Sequence, residues 1–387
     1  MLTFFNITQP GTSHIKRNAP GDDYSATERI VLGDTTYVIA AVADGVGSAV
    51  NSRFGSELAV KTAIAVIKEL LAKEETNKEN IANECLFPAF KEAYKAIMTY
   101  ATEEEMSVPS LDTTLTVCIY DGDLLVFGHS GDDGVVAMSK AGAYRMITTR
   151  KKGDEVNSVY PLRFYNTWEF GIARNIASFV MMTDGVLDYV VAMEEQLHNR
   201  VFFPFVEGPL TDPIPSDEVS DKARDTWDRF LMGELPYGDD GQTIRDIITD
   251  DISFVVVQNS DAVEALPELP AFDIDEWNRE SELLYEWQNL VLSLQPGEEF
   301  PSFPEWKSKK STETGDSQTS SEVIADVEAK DTENKEVAVQ DAEKNDVSTE
   351  ANDIPEEEVP DDNTADKQIA VSSGIEETED IPSTVNE

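Results

Sequence analysis

The sequence predicts an α+β fold, antiparallel sheet covered by long helices, and two observations predict it. Four apolar runs, "TTLTVCIY", "DLLVFGHS", "GVVAMS" and "AYRMITT", follow one another between residues 113 and 149. A βαβ crossover needs a dozen or more residues between strands, so runs this close together pair antiparallel. Residues 52–72 and 80–104 carry helical periodicity, with Leu58, Ala59, Ala63, Val66, Ile67 and Leu70 on one face.

In chain order, "RIVLG" and "TYVIAAVA" over residues 30–43 meet at Gly33-Asp34 and read as a hairpin. The two helical stretches come next. Asp121-Gly122 and Ala141-Gly142 then sit between the later runs, where tight turns belong. "ASFVMMTDG" and "DISFVVVQ" are two further buried strands. After the last strand, residues 274–294 place Trp277, Leu284, Trp287, Val291 and Leu294 at steps of three, four or seven, as an amphipathic helix does. The expected organisation is a main domain over 1–260, a helical extension over 261–305 and a tail over 306–387. No internal repeat is visible.

The tail boundary comes from composition. After Trp306 there are 24 acidic residues against 7 lysines, with no aromatic residue and no Arg. Such a segment buries too little apolar surface to offset its ordering entropy and is expected to be disordered. The whole chain has a net charge of −46 over 387 residues. That balance argues against nucleic acid and against anionic membranes as partners. No run approaches the about 18 apolar residues of a membrane span, and the opening "MLTFFNITQPG" lacks the pattern of a signal peptide. Cys85 and Cys118 are the only cysteines, and they read as buried thiols of a cytoplasmic protein.

Acids recur where apolar strands end. Asp44-Gly45 follows "VIAAVA", Gly131-Asp132 follows "LLVFGHS", Asp184-Gly185 follows "FVMMT", and Asp250-Asp251 precedes "ISFVVV". Asp22-Asp23 adds a pair near the N-terminus. One Asp-Gly alone is an ordinary turn. Several carboxylates converging on one edge of a sheet would repel one another and raise each other's pKa. A hard divalent cation relieves that repulsion, and Asp without His or Cys favours Mg²⁺ or Mn²⁺. Two such ions roughly 3.5–4 Å apart would activate a bridging water for attack on phosphorus. Other phosphate machinery is missing. There is no GxxxxGK[ST], no GxGxxG spacing in "GVGSAVNSRFG", no HRD or DFG, no GxSxG and no HExxH.

The order of these motifs resembles the metal-dependent PPM (protein phosphatase 2C) family of serine/threonine phosphatases, in its compact prokaryotic branch. The resemblance rests on "GTSHIKRNAPGDDYS", "VADGVGSAVNSRFGSELA", "DTTLTVCIYDGDLLVFGHSGDDG", "FVMMTDGVLDYV" and "DDISFVVV", over roughly residues 10–258. It implies a four-layer α/β/β/α sandwich of two antiparallel sheets, holding two Mg²⁺ or Mn²⁺ ions and a third, weaker one. Asp44 would bridge the two ions and Gly45 would ligate through its carbonyl. Asp23, Asp184 and Asp250 match further ligands, and Asp132 matches the acid of the third site. Asp251 stands where the family has Asn. It is the alternative ligand on that strand, and Asp251→Asn is expected to be mild.

The family's phosphate-binding Arg falls near Asn18, which leaves Lys16, Arg17 or His14 to hold the substrate phosphate. Val46 stands where some relatives carry a His, and Asp133 where Ser is common. His129 reads as a structural histidine. The implied partners are phosphoproteins made by a cognate serine/threonine kinase. The competing readings are a catalytically inert domain of the same fold that binds a partner, and a phosphohydrolase of small metabolites.

Overall fold

The structure is a computed structural model that describes residues 1–73, 80–152, 159–191, 200–237, 241–293 and 300–314. These residues fall within one compact unit. The tail expected to be disordered lies outside the described residues from 315 onward, as does Leu294.

Two five-stranded antiparallel sheets form the centre. The first comprises β1 (Leu2–Gln9), β10 (Ile252–Asn259), β9 (Ile176–Met182), β6 (Gly134–Ser139) and β7 (Tyr144–Met146), in that spatial order. The second comprises β2 (Tyr24–Leu32), β3 (Thr35–Ala43), β4 (Leu115–Tyr120), β5 (Leu125–Ser130) and β8 (Glu169–Ala173). Every pairing is antiparallel.

The run "TYVIAAVA" shows why the central strands are apolar throughout. Val38, Ala40 and Val42 of β3 face the other sheet, where Phe179, Met181, Val255 and Val257 meet them. The alternate residues Tyr37, Ile39, Ala41 and Ala43 face outward. There they pack against α2 (Ser52–Leu71) and α3 (Phe87–Glu103) through Ala59, Ala63, Ile67, Phe90 and Ile97. A strand buried on both faces has no polar alternation to show. One turn of π-helix, Ala82–Leu86, leads into α3 and buries Cys85 and Leu86. Cys85 and Cys118 are free and buried.

The outer face of the first sheet is covered by α4 (Asp184–Val190), α5 (Phe203–Thr211) and α6 (Asp217–Leu231). Helices, sheet, sheet and helices make the expected four layers. The last strand runs into α7 (Ser260–Glu264). α8 (Ile274–Leu292) then docks through Trp277, whose ring lies 5.5 Å from Phe202 and under the Arg200 guanidinium at 3.9 Å.

The boundary at 305/306 falls inside a helix. α9 (Phe303–Thr314) packs side chains onto α8: Phe303 is buried against Trp287, Trp306 stacks on Phe303, and Lys307 and Lys310 pair with Glu280 and Glu286. Composition changes at Trp306, but the lysines that follow it find acids on α8, so the helix runs on. No helix among the described residues is long and apolar enough to cross a membrane.

The inter-sheet core tolerates little change. Phe179 is fully buried, edge-on to Tyr120 at 5.5 Å. Phe179→Ala should cost about 3–5 kcal/mol, from lost burial plus the cavity left behind. The urea midpoint, compared at equal slope, measures it.

Candidate metal centre

The site lies where strand ends from both sheets come together. β2 and β3 pair with Tyr24 opposite Ala43, so the residues just outside the ladder, Asp23 and Asp44, fall side by side. Thr183, which leads β9 into α4, donates its hydroxyl to Asp23 at 2.7 Å. The next residue, Asp184, opens α4. The turn after β5 delivers Asp132.

Carboxylate oxygens of Asp44, Asp132 and Asp184 lie within 4.8 Å of one another. Two glycines permit the approach. A Cβ on Gly45 would meet the Asp22 carbonyl oxygen at 2.6 Å. Gly131 has φ +111, a conformation L side chains rarely adopt, and a Cβ there would meet Thr114 Cγ2 at 2.4 Å.

Buried threonines fix the cluster. Asp44 N–H donates to Thr114 Oγ1 at 2.7 Å, and that hydroxyl donates to Asp133 Oδ2 at 2.6 Å. Thr113 Oγ1 donates to the Asp44 carbonyl at 2.8 Å. Neutral His129, its pKa lowered to about 4 chiefly by burial, bonds Thr116 Oγ1 at 2.8 Å and donates to the Thr149 carbonyl at 3.0 Å. It is a structural histidine in this setting.

The electrostatics are those of crowded acids. Burial first, then Asp132, Asp250 and Asp188, push the Asp184 carboxyl up to about 7. Burial, then Asp23 and Asp184, raise Asp44 well above the carboxylate range. Asp23 and Asp133 are also raised, chiefly by burial. Asp132 Oδ1 is buried with no hydrogen-bond partner. Oxygen donors, surplus negative charge and an orphaned carboxylate oxygen form a donor set that fits hard divalent cations.

A profile of the family described as protein phosphatase 2C matches residues 10–219. This chain belongs to the protein phosphatase 2C family. No curated protein matches it at a significant level. Among solved structures it is similar to the serine/threonine phosphatase Stp1 from Staphylococcus aureus, at 14% identity and TM-score 0.44, over 67% of this chain and 95% of that one. It is also similar to the S. agalactiae serine/threonine phosphatase, at 12% identity and TM-score 0.44, over 67% and 99%. A third is the catalytic domain of PstP in complex with two manganese ions, at 18% identity and TM-score 0.41, over 66% and 97%.

Within this protein phosphatase 2C chain, the remaining predicted residues divide into three groups. Asp250 is exposed beside Asp184 and Gly185, and accepts the Asp251 N–H at 2.8 Å. Asp251 turns the other way, toward the N-terminal loop. Its carboxylate accepts from Gly11 N–H and Asp22 N–H, both at 2.5 Å, and from His14 Nδ1 at 2.8 Å. His14 Nε2 lies 3.4 Å from Asp22, so His14 belongs to a second group with Asp22 and Asp251. Lys16 and Arg17 are exposed on α1 (Thr12–Arg17), with Arg17 bonded back to the Ser13 carbonyl at 3.2 Å.

Two cations next to the acids come from elsewhere. Arg150 donates to the Asp132 carbonyl at 3.0 Å and pairs with Asp188, and Lys152 lies 3.7 Å from Asp132. The run "RKK" in so acidic a chain was the available signal. Its position could not be read without knowing how the chain returns after β7.

The contacts of Asp251 point to a larger effect than the mild one expected for Asp251→Asn. An amide presents its NH₂ to one of the two backbone N–H groups and leaves it without an acceptor. Asp251→Asn should therefore destabilise by about 1–3 kcal/mol, read as a lower melting temperature, while Asp251→Glu does not restore it.

The raised carboxyls give a pH test. A folded carboxyl that binds its proton more tightly than the unfolded chain stabilises less as pH climbs between the two pKa values. In chelator, the melting temperature should fall as pH rises from about 4 to about 7, the interval from the ordinary Asp value to that of Asp184. A flat or rising curve over that interval would contradict the assignment.

Proposed function

We propose that this chain is a metal-dependent phosphatase of phosphoserine and phosphothreonine in proteins. The observation that carries the reading is the convergence of Asp44, Asp132 and Asp184 at the ends of strands from both sheets, with Asp132 Oδ1 lacking a partner. Asp44, Asp184, Asp132, Asp23 and Asp250, with the Gly45 carbonyl, would hold Mg²⁺ or Mn²⁺. When bound, such ions neutralise phosphoryl oxygens and lower the pKa of water for in-line attack.

The chain's own residues do the rest. Thr114, bonded to both Asp44 and Asp133, fixes the central carboxylate on a rigid strand end. Arg150 and Lys152 supply positive charge on the Asp132 side, where an anionic substrate would otherwise meet only acids. His14, held by Asp251, offers its second nitrogen beside Asp22.

Asn18, in the place of the family's phosphate-binding Arg, favours a second reading. In it the domain binds a partner and hydrolyses slowly or not at all.

Phosphoserine and phosphothreonine peptides should be hydrolysed in millimolar Mn²⁺ or Mg²⁺, and EDTA should abolish the activity. Asp44→Asn should cost more than any other single acid change, because its carboxylate is central to the cluster. Parallel assays of phosphopeptide, p-nitrophenyl phosphate and nucleotides separate the readings. Full activity after exhaustive chelation sinks the metal mechanism, and no activity on any substrate leaves the binding module.

A further inference from the structure

Beside the acids lies a cleft of opposite charge. It is lined by Thr149, Arg150, Lys151, Lys152, Tyr160, Asn166, Thr167 and Trp168 and holds about 490 Å³. The lining is fixed. Lys151 N–H bonds the Gly131 carbonyl at 2.7 Å, Lys152 pairs with Val159 as an antiparallel bridge, and Tyr160 N–H bonds the Lys151 carbonyl at 3.1 Å. Trp168 is set by its Nε1–H on the Leu162 carbonyl at 2.9 Å and by edge-on contact with Phe90 at 5.4 Å. Arg150 is engaged with Asp132 and Asp188.

The Lys151 ammonium is held more loosely. It lies 3.8 Å from Glu169, and its side chain is 31% exposed. That separation exceeds a direct hydrogen bond. The amine can turn into the cleft at little cost, because such a partly exposed pair contributes little stability.

With 30 basic residues against 76 acidic ones, the chain as a whole repels acidic peptides. Three consecutive cations next to the site reverse that locally. We propose that this cleft receives an acidic side chain of the substrate, a carboxylate or a second phosphate near the phosphorylated residue, and that Lys151 selects for it. The inference rests on the phosphoprotein reading above and adds which phosphoproteins are preferred. An ammonium–carboxylate or ammonium–phosphate hydrogen bond is charge-assisted, and a neutral side chain cannot form it. Tyr160 and Trp168 give the flanking peptide an apolar surface, and Asn166 and Thr167 give it polar partners. Lys151 is the residue to test, because its partner Glu169 stands outside the acid cluster, whereas Arg150 and Lys152 contact Asp132.

The experiment uses the intact chain with Mn²⁺ and three labelled phosphopeptides of equal length. Their flanking residues are acidic, neutral or basic. Turnover and equilibrium binding, by fluorescence anisotropy, are measured separately. The acidic peptide should exceed the neutral one about tenfold in kcat/KM and in affinity, the size of one charge-assisted hydrogen bond. Lys151→Met should remove the preference and Lys151→Glu should turn it toward the basic peptide. Both should keep the wild-type rate on p-nitrophenyl phosphate and the wild-type melting temperature. Rising salt should shrink the preference. Equal binding and equal turnover of acidic and neutral peptides overturns the inference, as does a preference that survives Lys151→Glu. Preferential binding of the acidic peptide without hydrolysis of any peptide overturns the phosphatase reading and supports the cleft. Equal hydrolysis of all three does the reverse.

Discussion

The cost of burying ionisable carboxylates side by side is the constraint around which this domain is built. Asp23, Asp44, Asp132, Asp133 and Asp184 lie at neighbouring strand ends, and each has its pKa raised chiefly by burial. For Asp184, a rise from 3.8 to about 7 corresponds to on the order of 4 kcal/mol of unfavourable free energy for the ionised, cation-free form. Four close-packed layers offset it. Neither sheet alone assembles the cluster: Asp44, Asp23 and Asp132 come from ends of one sheet, and Asp184 and Asp250 from ends of the other. The dry core between the sheets, from Val38 to Val257, therefore sets the distances among the acids.

Much of this was legible because burial on both faces leaves a clear mark. β3, β9 and β10 read as unbroken apolar runs that stop at an acid, so each showed its strand and its site residue together. β1 was harder. Its partner β10 is some 250 residues away, with Leu2 opposite Asn259, and a short apolar opening alone does not announce a strand. α6 is a different case, because its pattern was there to be read. Val219, Ala223, Trp227, Phe230 and Leu231 recur at helical spacing and pack against the first sheet's outer core. Charged residues fill most of the other positions, as on any helix with one buried face.

The site was legible in its acids and not in what holds them. The type and position of Asp44, Asp132 and Asp184 follow from the strand-end pattern. The adjacency of Asp23 and Asp44 depends on the register that places Tyr24 opposite Ala43, and register is a property of pairing. Asp251 shows the same limit. Its type suggests a ligand, yet two backbone N–H groups and His14 claim its carboxylate. An acid at a strand end can serve a cation or the backbone of a neighbouring loop, and only the direction of its side chain separates the two.

A continuous set of buried hydrogen bonds joins the centre to the cationic segment. It runs from Asp44 N–H to Thr114, to Asp133, to Thr116, to His129 and to the Thr149 carbonyl. Thr149 directly precedes Arg150, Lys151 and Lys152. Asp133 Oδ1 is buried with no hydrogen-bond partner, so the set is only partly satisfied, which is costly in a low-dielectric interior. Asp133 is the member on which the set turns, since its Oδ2 accepts from Thr114 and lies 3.3 Å from the Thr116 hydroxyl. A serine there has one oxygen on a shorter side chain, and it would have to meet both hydroxyls with it. The extra reach of Asp133 thus ties the position of the central carboxylate to that of the cations lining the neighbouring cleft. In an acidic chain the same residues that gather repelling carboxylates also keep positive charge beside them, within reach of any anion that enters.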